Sequence, residues 1–341
     1  MTQSPSFAVI SGAQVHEAVT GREAQVTDMI EAAYRLHGEG ATVNPDSYFL
    51  RFPDEPANRI IALPASVQGD VDVHGIKWIS SFPGNVANGI PRASAVLILN
   101  DTATGYPFAC LESSIISAAR TAASAALAAA RLADARGERP RRVGFFGVGL
   151  IARYLHTYLA GNGFDFDELH VHDLSREHAE GFRGYLERTE KGTVTIHDTA
   201  EGLVRSSDLI VFATVAGEPH VTDPAWFAHN PLVLHVSLRD LSPEIILASY
   251  NIVDDVEHCM KANTSPHLAE QRVGHRDFVA GTLYDVLVGT TVPPADRPVV
   301  FSPFGLGVLD LAVARYVYDR VTESGDLTEI PGFFHEMKRY G

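Results

Sequence analysis

Between Arg142 and Ala152 the chain reads R-V-G-F-F-G-V-G-L-I-A, and a second apolar run, L-H-V-H-D, ends at Asp173. Apolar strand, glycine turn, helix start, second strand and terminal acid, in that order, fit few arrangements other than a dinucleotide cradle; glycines alone also mark ordinary turns. Val143 to Phe146 is the strand, Gly147 takes the tight turn, and Gly149 lets backbone come close to a diphosphate. Leu150 and Ile151 begin the helix whose free N–H groups point at the phosphates, and Ala152 packs that helix on the sheet. Asp173 then stands where a carboxylate accepts hydrogen bonds from the ribose 2′- and 3′-hydroxyls. An acid there repels a 2′-phosphate, so NAD is expected over NADP; Arg176, close behind, is the residue able to greet such a phosphate.

With 341 residues, 45% of them apolar, the chain is long enough for two domains with separate cores. A formal charge of −15 and the lack of any Lys/Arg run argue against a nucleic-acid partner. The stretch from Ala122 to Ala130 is short and closed by Arg131, so no membrane span is expected. The N-terminus lacks a signal-peptide pattern. Cys110 and Cys259 lie far apart with no C-x-x-C spacing and read as buried filler in a reducing, cytoplasmic setting.

The cradle starts near residue 141, which leaves a long N-terminal portion to hold a substrate. There, residues Gln14 to His37 have helical periodicity with a break at Gly21. Strand-like runs follow at Ser47 to Arg51, Arg59 to Leu63, Val73 to Ser80 and Ala93 to Leu99, which suit an antiparallel sheet. The alanine-rich segment from Ser117 to Arg136 is expected to be a hinge helix. Strands at 142–147, 168–173, 193–197 and 208–214 then alternate with helices at 150–162, 176–188 and 199–206, and further apolar runs follow at 232–237 and 252–254. This pattern predicts an α/β architecture: a Rossmann-type doubly wound parallel sheet plus an α+β domain. An amphipathic helix from Gly307 to Thr322 is expected to return to the first domain. The expected domains are therefore 1–116, completed by 307–341, for substrate binding and dimerisation, and 117–306 for NAD.

Lys77 sits inside the apolar strand G-I-K-W-I, where an ammonium is costly unless it faces a site; alternation turns Ile76 and Trp78 the other way. As an exposed edge lysine it would mean nothing. Arg120 lies among small residues near a helix start, either as a bidentate carboxylate fork or as a structural salt bridge. Arg51, Arg59 and Arg92 flank predicted strands and are candidates to converge on the same anion, although each alone is an ordinary surface residue. Several arginines beside one lysine suggest a polyanionic small molecule.

In the second domain Asp240 lies just past a buried strand, where ligand crevices open; the alternative is a helix N-cap ahead of Pro243 and Glu244. His235 reads as core. Thr214 is placed at the nicotinamide ribose, Ser237 is counted with the cofactor contacts, and F-S-P-F-G-L-G, with Gly305, is a turn over the nicotinamide ring. No metal is expected: H-E-x-x-H is absent, and His170 and His172 share a strand face without a third ligand. Nor is there a G-x-S-x-G elbow for a hydrolase.

The lysine-bearing strand, the R-T-A-A helix start, the mid-chain cradle and the late aspartate together resemble the ornithine cyclodeaminase and mu-crystallin family over nearly the whole chain. The runs N-R-I-I-A-L-P, G-I-K-W-I, P-R-A-S-A-V-L-I-L-N-D and L-E-S-S-I-I-S-A-A-R-T-A-A are most similar to members that cleave N-(2-amino-2-carboxyethyl)-L-glutamate, yielding L-2,3-diaminopropionate for siderophores and peptide antibiotics. The resemblance implies NAD as cofactor and a homodimer joined through the first domain's sheets. It also implies substrate or catalytic positions at Lys77, Arg120 and Asp240, and a further carboxylate contact at Arg51. Around Ala62 the chain has I-A-L-P where cyclodeaminases carry a glutamate in E-L-M-P, which speaks against ornithine cyclisation. The rival expectations are a cyclodeaminase-like lyase and a crystallin-like binder without turnover.

Overall fold

A computed structural model describes residues 5–335. The chain divides into two compact units, one running to Arg120 and resuming at Leu306, the other spanning Thr121–Gly305. The first unit begins with β1 (Ala8–Ile10), α1 (Gly12–Val19) and α2 (Glu23–Gly38), continues through β2 (Thr42–Val43), β3 (Tyr48–Arg51), β4 (Arg59–Val67) and β5 (Val73–Ser81), and reaches β6 (Ala93–Asn100) and β7 (Pro107–Glu112). Helix α3 (Ser114–Arg136) carries the chain into the second unit. There β8 (Arg142–Phe146), α4 (Leu150–Gly161), β9 (Glu168–His172), α5 (Arg176–Thr189), β10 (Thr193–Ile196), α6 (Ala200–Ser206) and β11 (Leu209–Phe212) alternate. They are followed by β12 (Leu232–His235), α7 (Pro243–Ala248), β13 (Tyr250–Val253), α8 (Val256–Cys259), α9 (Ser265–Val273), β14 (Val279–Thr282), α10 (Leu283–Leu287) and β15 (Val299–Ser302). The chain then returns to the first unit as α11 (Gly307–Ser324) and β16 (Thr328–Glu329).

Within the first unit the sheet order is β16-β1-β7-β6-β5-β4-β2, with β3 also paired to β4. The four expected strands, β3 to β6, pair antiparallel, and the sheet is mixed only through β1, which runs parallel to β7. Period-2 alternation buries Leu63, Ala65 and Val67 of β4 and Ala95, Leu97 and Leu99 of β6 on one face. Helix α11 packs on that sheet and against α1 and α2. It is not amphipathic at its start as expected: every residue from Gly307 to Ala314 is buried, since the sheet and two helices enclose it. Gly75 permits that approach, because a Cβ there would lie 2.4 Å from the Ile98 carbonyl and 2.7 Å from Leu311.

The second unit's sheet runs β10-β9-β8-β11-β12-β15-β13-β14, with every pairing parallel. Its central strands are apolar without alternation, as a sheet covered on both faces requires: L-I-V-F of β11 is wholly buried. The chain winds one way from β8 to β10 and the other way from β11 onward. The carboxyl ends of β8 and β11 therefore form the topological switch point, where open α/β sheets bind ligands. Among the described residues no helix is long and apolar enough to cross a membrane.

Candidate active site

Lys77 occupies a row of β5 where a leucine would be unremarkable, since its partners across the sheet are Leu63 and Leu97. Only 1% of its surface is exposed, while Trp78 emerges on the opposite face. The space it faces is thus apolar along the sheet and polar only toward two helices. From α11, Asp310 accepts a hydrogen bond from Lys77 Nζ at 2.6 Å; from α3, Ser117 Oγ lies 3.3 Å from the same nitrogen. Arg120, one helical turn beyond Ser117, donates from Nε to the second Asp310 oxygen at 3.1 Å. Asp310 is fully buried and the Arg120 side chain is 12% exposed. Two cations thus share one carboxylate, and the surplus positive charge sits where water screens it poorly. Burial pushes the Lys77 ammonium down to about 8, with Asp310 opposing and Arg120 reinforcing the shift.

The remaining arginines line the same sheet face further along. Arg51, Arg59 and Ser81 stand in one cross-strand row of β3, β4 and β5, and Ser81 shares the parity of Lys77. Arg92 is half-buried and donates to Ser81 Oγ at 2.7 Å; burial lowers its pKa. Arg51 is exposed and lies over the Phe49 ring at 4.9 Å. The row is four residues, roughly 13 Å of strand, from Lys77. Ile61 and Leu63 of the I-A-L-P run point to the Lys77 face and Ala62 to the other.

In the second unit the cradle follows β8. Gly147 has φ +75°, and a Cβ on it would stand 2.8 Å from the Ala213 carbonyl that follows β11. Gly149 caps α4 without a side-chain bond, and no protein atom lies within 4 Å of its would-be Cβ. The chain itself does not need a glycine there; a phosphate lying against the helix start does. Leu150 is half exposed at that start, with Ile151 beside it. Asp173, just past β9, accepts from Val148 N at 3.2 Å and Ser175 N at 2.8 Å, which fixes the glycine turn and leaves carboxylate lone pairs for a ribose. Arg176 is engaged by Glu180 at 3.0 Å and Asp198 at 3.1 Å, so its charge is already matched by acids. These residues fit a dinucleotide. Gly305, at φ +97°, is held from below: its N–H and that of Phe304 donate to the buried Asp254 at 2.6 and 2.9 Å.

Asp240 lies beyond β12 and is completely buried. It is not a helix N-cap, because Ser242 holds that position ahead of α7. Its Oδ1 accepts from Thr214 Oγ1 and meets His220 Nε2 at 3.0 Å; its Oδ2 accepts from Ser237 Oγ at 2.6 Å and meets His235 Nε2 at 3.2 Å. Burial pushes its pKa up, but the hydrogen bonds from His220, His235 and Ser237, with the charge of His235, outweigh that and hold it well below the usual carboxylate range. Thr214 and Ser237, expected beside the cofactor, are thus tied to Asp240, and His235 serves it as well as the core. Asp310, Asp254 and His220 escaped the sequence reading. Asp310 had a signal, a lone acid in the apolar run G-V-L-D-L-A-V-A; His220 had none.

Known proteins resemble this chain over most of its length. A Staphylococcus aureus N-((2S)-2-amino-2-carboxyethyl)-L-glutamate dehydrogenase is 29% identical over 323 residues, 90% of this chain and 93% of its own. An archaeal alanine dehydrogenase dimer solved with bound NAD superposes with a TM-score of 0.85 at 25% identity, covering 96% of this chain and all of its own. The fold is shared too by the Thermococcus litoralis Delta(1)-pyrroline-2-carboxylate reductase solved with NADH and L-proline, at a TM-score of 0.86 and 22% identity over 95% of this chain and all of that one. The family profile for ornithine cyclodeaminase/mu-crystallin proteins matches residues 8–325, and the chain belongs to that family.

Proposed function

We propose that this NAD-dependent amino-acid dehydrogenase oxidatively cleaves N-(2-amino-2-carboxyethyl)-L-glutamate to 2-oxoglutarate and L-2,3-diaminopropionate. The observation that carries the reading is the buried Lys77–Asp310–Arg120 cluster, whose charge surplus suits a carboxylate and whose sheet face continues into a row of arginines. A substrate with three carboxylates matches that face better than alanine or ornithine does. The Staphylococcus aureus relative supports the same substrate.

Gly147, Gly149, Leu150, Ile151 and Asp173 would hold the dinucleotide, with Arg176 at the rim and Gly305 in the turn that Asp254 supports. NAD supplies the hydride acceptor for the glutamate α-carbon. Lys77 and Arg120 orient the α-carboxylate, and Arg51 and Arg92 take the outer carboxylates. The Asp240 network handles protons at the substrate nitrogen and at the water that splits the imine. The balance is amine plus NAD⁺ plus water giving 2-oxoglutarate, diaminopropionate, NADH and a proton.

The chain also presents a surface for pairing with a second copy. Tyr48, Ala62, Trp78 and Val96 are successive register partners across β3 to β6, and Tyr48, Trp78 and Val96 are 68, 41 and 43% exposed. An apolar row of this kind on the open sheet face supports a homodimer. Free Cys110 and Cys259 fit a reducing, cytoplasmic setting, and the proposed diaminopropionate product fits a siderophore or peptide-antibiotic pathway.

The test is incubation with NAD and the purified adduct, following NADH absorbance and identifying products by mass spectrometry. Stoichiometric NADH and diaminopropionate are expected. Ornithine is expected to give neither ammonia nor proline. No NADH from the adduct by folded protein that binds NAD overturns the substrate assignment.

A further inference from the structure

We propose that His220 is the residue that exchanges protons with the substrate, and that Asp240 acts through it as a positioning residue. The proposal rests on the oxidative cleavage proposed above and assigns its proton-transfer group.

The Asp240 carboxylate has no open side. Each oxygen has two polar partners, and Asp240, His235 and Ser237 are all buried. His220 alone among the imidazoles of this network reaches solvent, with 40% of its side chain exposed against 1% for His235. Thr214 is also only partly buried, but its hydroxyl donates to Asp240 and accepts from Ala216 N at 3.1 Å and does not titrate, so a proton passing between the network and a bound molecule has His220 as its gate. The imidazole is also well held. Its backbone N–H and that of Val221 both donate to the Asp240 carbonyl, at 3.0 and 2.9 Å, and Ser242 N returns a bond to the Val221 carbonyl at 3.0 Å. The loops after β11 and β12 are laced together at this point, and the Phe146 ring lies 6.3 Å from the imidazole. The titratable group bonded to His220 is Asp240, whose other oxygen meets His235.

With Nε2 donating to a carboxylate that stays ionised, Nδ1 is left as the basic nitrogen. Hydride loss from the amine leaves a protonated imine, and in the cleavage step Nδ1 takes a proton from water as the water oxygen bonds to the imine carbon, giving a neutral carbinolamine. The same nitrogen then returns the proton to the carbinolamine nitrogen, the carbon–nitrogen bond breaks as the hydroxyl becomes the carbonyl of 2-oxoglutarate, and the hydroxyl proton leaves to solvent as the proton of the overall balance. No oxidation or reduction follows the hydride transfer, and His220 ends in the protonation state in which it began. Asp240 holds the tautomer and stabilises the imidazolium, the division of labour seen in serine hydrolases.

The experiment uses the full chain with NAD. His220→Gln and His220→Ala are expected to bind NADH within about threefold of wild type by fluorescence titration, while 2-oxoglutarate release in a single turnover slows by about 10²–10⁴-fold. Added imidazole is expected to restore release in His220→Ala, and more so as pH rises and the free base accumulates. Wild-type release by His220→Gln, or no response to imidazole, overturns the proposal. A second readout needs no substrate: ¹⁵N-histidine NMR is expected to show His220 as the Nε2–H tautomer, and Asp240→Asn is expected to change it. An Nδ1–H tautomer, or a spectrum unmoved by Asp240→Asn, overturns the relay. If wild-type protein leaves the adduct intact the substrate assignment falls, and this second readout still decides the role of His220.

Discussion

Asp310 of the first unit and Asp240 of the second are both fully buried, yet they meet opposite company. Asp310 is gripped by an ammonium and a guanidinium, whereas Asp240 is surrounded by two hydroxyls and two imidazoles. The first arrangement leaves a buried cation surplus and is suited to holding an anion. The second keeps a single carboxylate ionised and aims its neighbours. Burial alone therefore says little about what an acid does; the partners decide.

The comparison breaks most visibly at Asp310. Removing it strands two buried cations, so D310A is expected to lose about 3–5 kcal/mol of stability in a urea melt. The triple apolar replacement K77M/R120M/D310L is expected to recover most of that stability without activity, because no unpaired charge remains. If D310A melts like wild type, the cluster is not the close-packed ion network described above. At Asp240 the cost is expected to fall on rate: D240N lowers kcat by about 10²–10⁴-fold, with NADH affinity nearly unchanged. A loss of affinity equal to the loss of rate would place Asp240 at the cofactor instead.

A smaller contrast lies within the cradle. G149V should weaken NADH binding while leaving the melt nearly unchanged, since its Cβ meets no protein atom. G147A should cost about 1–3 kcal/mol of stability, because φ +75° and the nearby Ala213 carbonyl both resist a side chain. If both variants behave alike in both assays, the division between a glycine kept for the fold and one kept for the ligand is wrong.

What could be read in advance follows from distance along the chain. The cradle was legible because its parts lie within a few turns of one another and each has a local reason for its residue type. Lys77 was legible as an anomaly in an apolar strand, but its partner Asp310 is 233 residues away, and nothing in either neighbourhood names the other. His220 meets Asp240 only because β11 and β12 lie side by side and their following loops bond together. Strands β7 and β15 escaped notice: P-F-A-C-L-E opens on a proline, and V-V-F-S is only four residues long. Helix α11 reads as amphipathic along the sequence, but Asp310, one of its charges, is buried.

The finest test of the contrast is pH. Lys77 loses its proton near 8 when folded and near its ordinary 10.5 when unfolded. As the charged form is the one that holds a carboxylate, kcat/KM for the tricarboxylate adduct is expected to fall as pH rises through 8. Stability is expected to move the other way. Between about pH 8 and 10.5 the unfolded chain binds more protons at this lysine than the folded one, so folding free energy becomes more favourable with rising pH across that window. Affinity falling while stability climbs is not what general alkaline denaturation produces. K77R, which stays charged throughout, is expected to flatten both trends. Should K77R keep the same fall in kcat/KM, the titrating group lies elsewhere, and Lys77 carries charge without setting the pH response.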